Sequence, residues 1–296
     1  MPNVQDTSGS PISWRPLGTV DATALRDTRL HLHHAVQLLA SFGQATLEAQ
    51  DDDSHRSLTW AERHRGFESG STGDGLFARV LVPSFAAEVW LSQERLGSLD
   101  LLGQRPSQAL AWLGNLLGEA RGAGAGRIAW PEYDLPEQPG GADQPLEPAP
   151  EALEELAAWY GNAQQTLEET FASERAASAI RCWPHHFDLA TLLTYPAADG
   201  SDAAAYVGVG FSPGDDEFSE PYFYVNGWPP PGADALPAVT GPGAWYTEAW
   251  VGAVLGAQEI VSSGSGAAQK KTLQTFLTDR VDAMRATVLA RNGEEK

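Results

Sequence analysis

The chain has 296 residues, 42% of them hydrophobic and 20% charged, enough to bury a substantial core and against general disorder. Nineteen Lys and Arg against 39 Asp and Glu give a formal charge of −20. A field of that sign repels phosphate backbones and anionic lipid, so neither nucleic acid nor a membrane surface is an expected partner. The acids are spread along the chain, which reads first as a solubility device; the sharper reading is attraction of a cationic substrate.

The single cysteine, Cys182, excludes an intramolecular disulfide framework and any CxxC motif. The start MPNVQDTSGSPISW lacks a basic segment followed by an apolar one, and no apolar run approaches the roughly 18 residues of a membrane helix. A cytoplasmic protein is therefore expected.

In chain order, residues 1–16 are polar and broken by Pro and Gly, and read as a loose arm. A first helix is expected over 21–42, with Asp21 as N-cap, Leu25, Leu32, Val36 and Leu39 as its apolar stripe, and Gly43 closing it. Strands are expected at 45–50, 56–63, 76–82 and 86–91, with 66–75 as a long hairpin tip. A second helix begins near Pro106, and residues 131–150 (PEYDLPEQPGGADQPLEPAP) read as a linker or an ordered surface crossing. A third helix is expected over 151–177. Strands follow at 180–186 or 187–194, then 204–211 and 221–226, and a last helix over 267–291 carries Leu273, Phe276, Leu277, Val281, Met284 and Val288 at helical spacing.

Both halves, 17–130 and 151–296, thus run helix, antiparallel-looking strands, helix. The fold class expected is α+β, an antiparallel-rich sheet from two similar halves covered by about four helices. No residue-level repeat supports a duplication.

The most chemically loaded segment is Trp183-Pro184-His185-His186-Phe187-Asp188. Read as an extended strand, it puts His185 with Trp183 and Phe187 toward the core, and His186 with Asp188 on the other face. A His-x-Asp pair suits metal ligation or a carboxylate-oriented proton-transfer histidine; the plainer reading is a hydrogen-bonded structural pair. In EPYFYVNGWP, alternation places Glu220, Tyr222, Tyr224 and Asn226 on one face, and Trp228 continues that set. If the two strands are neighbours, His186, Asp188 and Glu220 become candidate catalytic residues, and Tyr222, Tyr224, Asn226 and Trp228 candidate ligand contacts. A divalent metal held by His186, Asp188 and Glu220, with His185 as an alternative ligand, is the cofactor this grouping would take.

The HxHH run His31, His33 and His34 on the first helix would supply ligands to a shared site or, more simply, lie solvated along the helix edge. Gly122, Gly124 and Gly126 follow a helix and do not open one, so they are no dinucleotide fingerprint. GxxxxGK[ST], GxSxG and HExxH are absent.

The runs IRCWPHHFDLATLL, VGVGFSPGDDEFSEPYFYVNGWPPP and AWYTEAWVGAVL, with the closing helix, resemble a group of uncharacterised bacterial proteins and a divergent relative of the domain of unknown function 5996 family. LRDTRLHLHHAVQLLASFGQATLEA is similar in style to that family's opening helix and strand. The family keeps the Phe-Asp-Leu-Ala part of WPHHFDLA without both histidines, so the resemblance implies a fold role for Phe187 and Asp188. It implies no activity. Three readings stay open: a small-ligand-binding protein, a metal-assisted or His/Asp acid–base hydrolase, and a structural or interaction protein.

Overall fold

The computed structural model describes residues 14–122, 128–196 and 205–294. Residues 1–13 of the expected arm and 123–127 of the glycine run lie outside them. The fold is α+β. Helix α1 (Ala22–Thr46) leads into an antiparallel meander, β1 (Thr59–Ala61), β2 (Gly66–Glu68), β3 (Leu76–Leu81), β4 (Ala86–Leu91) and β5 (Glu94–Asp100), and then α2 (Pro106–Arg121). The second half repeats the order: α3 (Pro150–Phe171), β6 (Arg181–Trp183), β7 (Asp188–Tyr195), β8 (Ala205–Ser212), β9 (Tyr222–Trp228), β10 (Ala244–Tyr246), β11 (Gly252–Gly256), a short α4 (Ala257–Ser262) and the long α5 (Gly266–Glu294). Its sheet runs β10-β11-β9-β8-β7-β6, antiparallel throughout.

The two sheets meet at their first strands. Leu58, one residue before β1, exchanges both backbone hydrogen bonds with Cys182 of β6, at 2.9 and 2.8 Å. One aromatic cluster spans that seam: Trp60 and Phe67 from the first half pack on Tyr160, Phe187 and Phe211 from the second, with ring centroids 4.7–5.6 Å apart. The buried core is therefore continuous across both halves.

Asp21 caps α1 as expected, its Oδ1 accepting from the Thr23 and Ala24 amides, a contribution of about 1 kcal/mol. Gly43 does not end the helix, and no strand forms over 45–50. The glycine is needed for another reason: a Cβ there would lie 2.3 Å from the His55 carbonyl oxygen, which crosses the helix at that point. The expected strand at 56–63 shortens to β1, the hairpin tip at 66–75 begins with β2, and the polar strand β5 was not anticipated.

Helix α1 is buried nearly all round from His31 to Gly43. Strand β3 of the first sheet, α2 and α3 pack against it and account for part of this cover. Residues 128–149, ahead of α3, add to it as an ordered crossing, with Gln138 and Leu146 buried and Leu146 paired to Gly103 and Gln104 through backbone bonds.

Trp14 and Arg15, at the end of the expected loose arm, are tied down. The Trp14 indole N–H donates to Gln269, and the Arg15 backbone exchanges bonds with the Asn162 side chain. Farther along, the buried Glu155 carboxylate accepts from the backbone amides of Gly18, Thr19 and Val20 and from the Thr19 hydroxyl, at 2.6–2.8 Å. No described helix is long and apolar enough to cross a membrane.

Bonds to a charged acceptor are the strong kind, so Glu155→Gln, which replaces one acceptor oxygen with a donor facing other donors, is expected to lower stability by about 2 kcal/mol. Urea unfolding measures it, and an unchanged midpoint would contradict this role.

Candidate functional site

The WPHHFD segment is not one strand. Residues 184–187 form the turn between β6 and β7, and Phe187 sits at φ 60°. A bulky residue in the left-handed region costs of order 1 kcal/mol, so something must hold it there. The Trp183 carbonyl accepts from the amides of His186 and Phe187. The Pro184 carbonyl accepts from His33 Nε2 at 2.8 Å and Gln37 Nε2 at 2.7 Å, both on α1. The Phe187 carbonyl accepts from the Tyr160 hydroxyl of α3 at 2.6 Å. The Phe187 ring is buried, stacked on His33 with centroids 4.9 Å apart.

This turn overturns the alternation expected for the histidines. His185, expected in the core, is exposed beside the equally exposed His186, their ring centroids 4.2 Å apart. A four-residue turn does not alternate faces, and its left-handed last residue buries Phe187 while both imidazoles remain outside.

The sheet face behaves closer to expectation. Phe223 and Val225 are buried on the helix side, where a Cβ on the neighbouring Gly227 would strike Met284 and Val288 of α5. Tyr222, Tyr224, Asn226 and Trp228 alternate onto the opposite face. Tyr224 reaches across β8 to donate its hydroxyl proton to Asp188 Oδ2 at 2.5 Å. It can do so because Gly210 lies opposite it in the register: a Cβ there would come within 2.5 Å of the phenol. Asn226 lies over Gly208 in the same way. Tyr222 donates to Asp215, and Trp228 is 58% exposed with no described ring partner.

Asp188 Oδ1 is buried with no partner among the described residues. Burial raises the Asp188 carboxyl above the usual carboxylate range, against the opposing bond from Tyr224 and the nearby His186.

Glu220 is not part of this group. It precedes Pro221 and β9, accepts from Gln258, and lines a separate cavity with Leu25, Glu155 and Trp159. Among the described residues no three His, Cys, Asp or Glu side chains converge to hold an ion. The expected metal set of His186, Asp188 and Glu220, with His185 as alternative, is therefore not assembled among them: β9 begins only at Tyr222, so the strand alternation that was to bring Glu220 to the Asp188 face does not extend to it.

The histidines of α1 are buried too, not solvated. Each meets a loop: His31 Nδ1 donates to Gln138 Oε1, His33 to the Pro184 carbonyl and His34 to the Pro136 carbonyl. Gln138 Oε1 must accept, because its amide nitrogen already donates to the Ala142 and Gln144 carbonyls. These bonds satisfy a Pro-rich segment that can form little backbone ladder of its own. Burial drives the His33 imidazole from 6.5 down to about 3 and lowers His34 as well.

Beside this clamp lies a half-open cavity of about 340 Å³ between α1, the start of α2 and residues 130–143. Trp130, Pro131, Leu135 and Pro106 give it apolar walls; His34, Gln37, Tyr133, Asp134, Glu137 and Asp143 supply polar atoms. Tyr133 donates to Gln37 Oε1 at 2.6 Å, so the cavity wall and the β6–β7 turn share one side chain. On its other side Tyr133 faces His185, centroids 5.8 Å apart. Sequence reading passed over Trp130, Tyr133, Asp134 and Glu137 because they sit in a Pro/Gly-rich stretch. The usable signal was two aromatic residues in a segment otherwise composed like a linker. Comparison with known families, curated proteins and solved structures returns no significant match.

His33 has a folded-state value below its unfolded one, so its contribution to stability is complete above about pH 6.5 and is lost as pH falls toward about 3. The loss from His33 approaches ~1.4 kcal/mol per pH unit within that window. His33→Gln keeps a donor for Pro184 and removes the titration, so urea melts from pH 7 to 5 are expected to show a shallower decline for the variant. Parallel slopes would contradict the assignment.

Proposed function

We propose that this protein binds a small molecule in the cavity bounded by α1, the start of α2 and residues 130–143. The observation that carries this reading is a recess of about 340 Å³ with apolar walls and several polar atoms at fixed positions, the make-up of small-ligand sites. Its wall is braced from behind: Gln37 is buried and bonded to Tyr133, His33 and Pro184, which holds the phenol before a ligand arrives. Asp143 closes the far side by accepting from the Ser107 amide and hydroxyl at the start of α2.

Asp188 and Tyr224, on the sheet face, support a structural reading in which the phenol bridges three strands. That reading favours distant kinship with the domain of unknown function 5996 family, whose shared Phe-Asp-Leu-Ala segment corresponds here to the Phe187 and Asp188 that close the turn and anchor Tyr224. Cytoplasmic residence belongs to the same proposal, supported by the free buried thiol of Cys182.

Ala142 lines the cavity and is exposed, so Ala142→Trp fills the recess from its rim with little cost to the core. A metabolite panel is expected to raise the melting temperature of the wild type with at least one compound and to leave Ala142→Trp unmoved by it. A shift that persists in Ala142→Trp would place binding elsewhere.

A further inference from the structure

The hydrogen inventory of the cavity specifies what it can bind. The Tyr133 hydroxyl proton goes to Gln37 Oε1. Both Gln37 amide hydrogens go to the carbonyls of His33 and Pro184. The Ser107 hydroxyl and amide both serve Asp143. His34 gives its Nε2 proton to the Pro136 carbonyl, and burial keeps the ring neutral, so Nδ1 is left as a lone pair. Of the side-chain donors lining the cavity, only the Trp130 indole N–H remains uncommitted among the described residues.

The acceptors, by contrast, are open. Tyr133 Oη keeps a lone pair, His34 keeps Nδ1, and the exposed Asp134 and Glu137 stand at the rim, neither among the ion pairs of the described residues. No Lys or Arg lines the cavity. Arg105 bonds the Asp143 carbonyl from outside and offsets that carboxylate, and Arg56 lies over the Tyr133 ring. Asp134 and Glu137 are then the unopposed charges, within a chain of net charge −20. Tyr133 offers its oxygen, since Arg56 already covers a face of its ring; Trp130 offers the aromatic surface on which a cation or a flat body packs.

We propose that the cavity takes an organic cation, an ammonium or guanidinium carried on a flat apolar body. This rests on the cavity being the ligand site and adds the class of ligand. The apolar body packs against Trp130, Pro131 and Leu135, and the cationic head gives its hydrogens to the acceptors around Tyr133 and His34, with Asp134 and Glu137 supplying the field. A carboxylate isostere finds acceptors facing its own acceptors, a mismatch that discriminates more strongly than a lost apolar contact, and a neutral alcohol brings a single donor and no charge for the Asp134 and Glu137 field to attract.

The test is calorimetric titration of the full chain with three isosteres: 2-phenylethylamine, 2-phenylethanol and phenylacetate. The expected result is binding of the amine, at least about tenfold weaker binding of the alcohol, and none of the acid. Asp134→Asn combined with Glu137→Gln alters only exposed side chains; it is expected to weaken the amine about tenfold and leave the melting temperature and any alcohol binding unchanged. Equal or tighter binding of the alcohol or the acid overturns the cation assignment, as does an unaffected double variant. If Ala142→Trp then abolishes binding of the alcohol or acid, the cavity itself remains the site. No binding of the amine at millimolar concentration also overturns the assignment, and the cavity reading falls with it only if the wider metabolite panel is silent.

Discussion

The carbonyl oxygen of Pro184 is the point on which the rest of the molecule turns. It accepts from His33 and Gln37, so one turn of α1 grips the β6–β7 turn. Were it left unpaired in this dry interface, the cost would be about 1–3 kcal/mol. The grip fixes Phe187 in its left-handed conformation, which drives its ring into the aromatic cluster between the two sheets. Through Gln37 the same grip reaches Tyr133 and sets the back wall of the cavity. A single polar contact thus couples the strand seam, the most buried helix and the candidate ligand site.

Helix α1 can do this only because its polar residues are matched one by one. A helix buried on every side is ordinarily apolar all round. Here His31, His33, His34 and Gln37 are buried with specific partners, most of them backbone oxygens of turns and proline-rich segments. Segments that cannot pair with a neighbouring strand are satisfied instead by side chains from the helix they cover. Glu155 plays the same part with opposite polarity, offering a carboxylate to the three amides of residues 18–20.

The α+β class, the Asp21 cap, β3, β4 and the start of α2 at Pro106 were legible because period and capping are local properties. The grouping of Tyr222, Tyr224 and Asn226 on one sheet face followed from alternation alone. His185 was misplaced because nothing local in Pro-His-His-Phe distinguishes a strand from a turn whose last residue is held left-handed by contacts about 27 and 150 residues away. The α1 histidines were read as solvated for a related reason. The segment that meets His31 and His34 is rich in Pro, Gly and acids, a composition that speaks of linkers, while His33 meets the distant β6–β7 turn. The cavity was hidden by that same segment, which supplies most of its wall.

The grip of α1 on the β6–β7 turn requires His33 to be a neutral imidazole whose Nε2 proton is donated to the Pro184 carbonyl in a buried interface. Long-range proton–nitrogen correlation spectra of the ¹⁵N-labelled protein report tautomer and charge of each ring directly. His33 is expected to show the neutral Nε2–H pattern at neutral pH and to keep it on acidification until the protein unfolds, in line with a value of about 3. Titration of His33 near its ordinary 6.5, or an Nδ1–H tautomer at neutral pH, would contradict it.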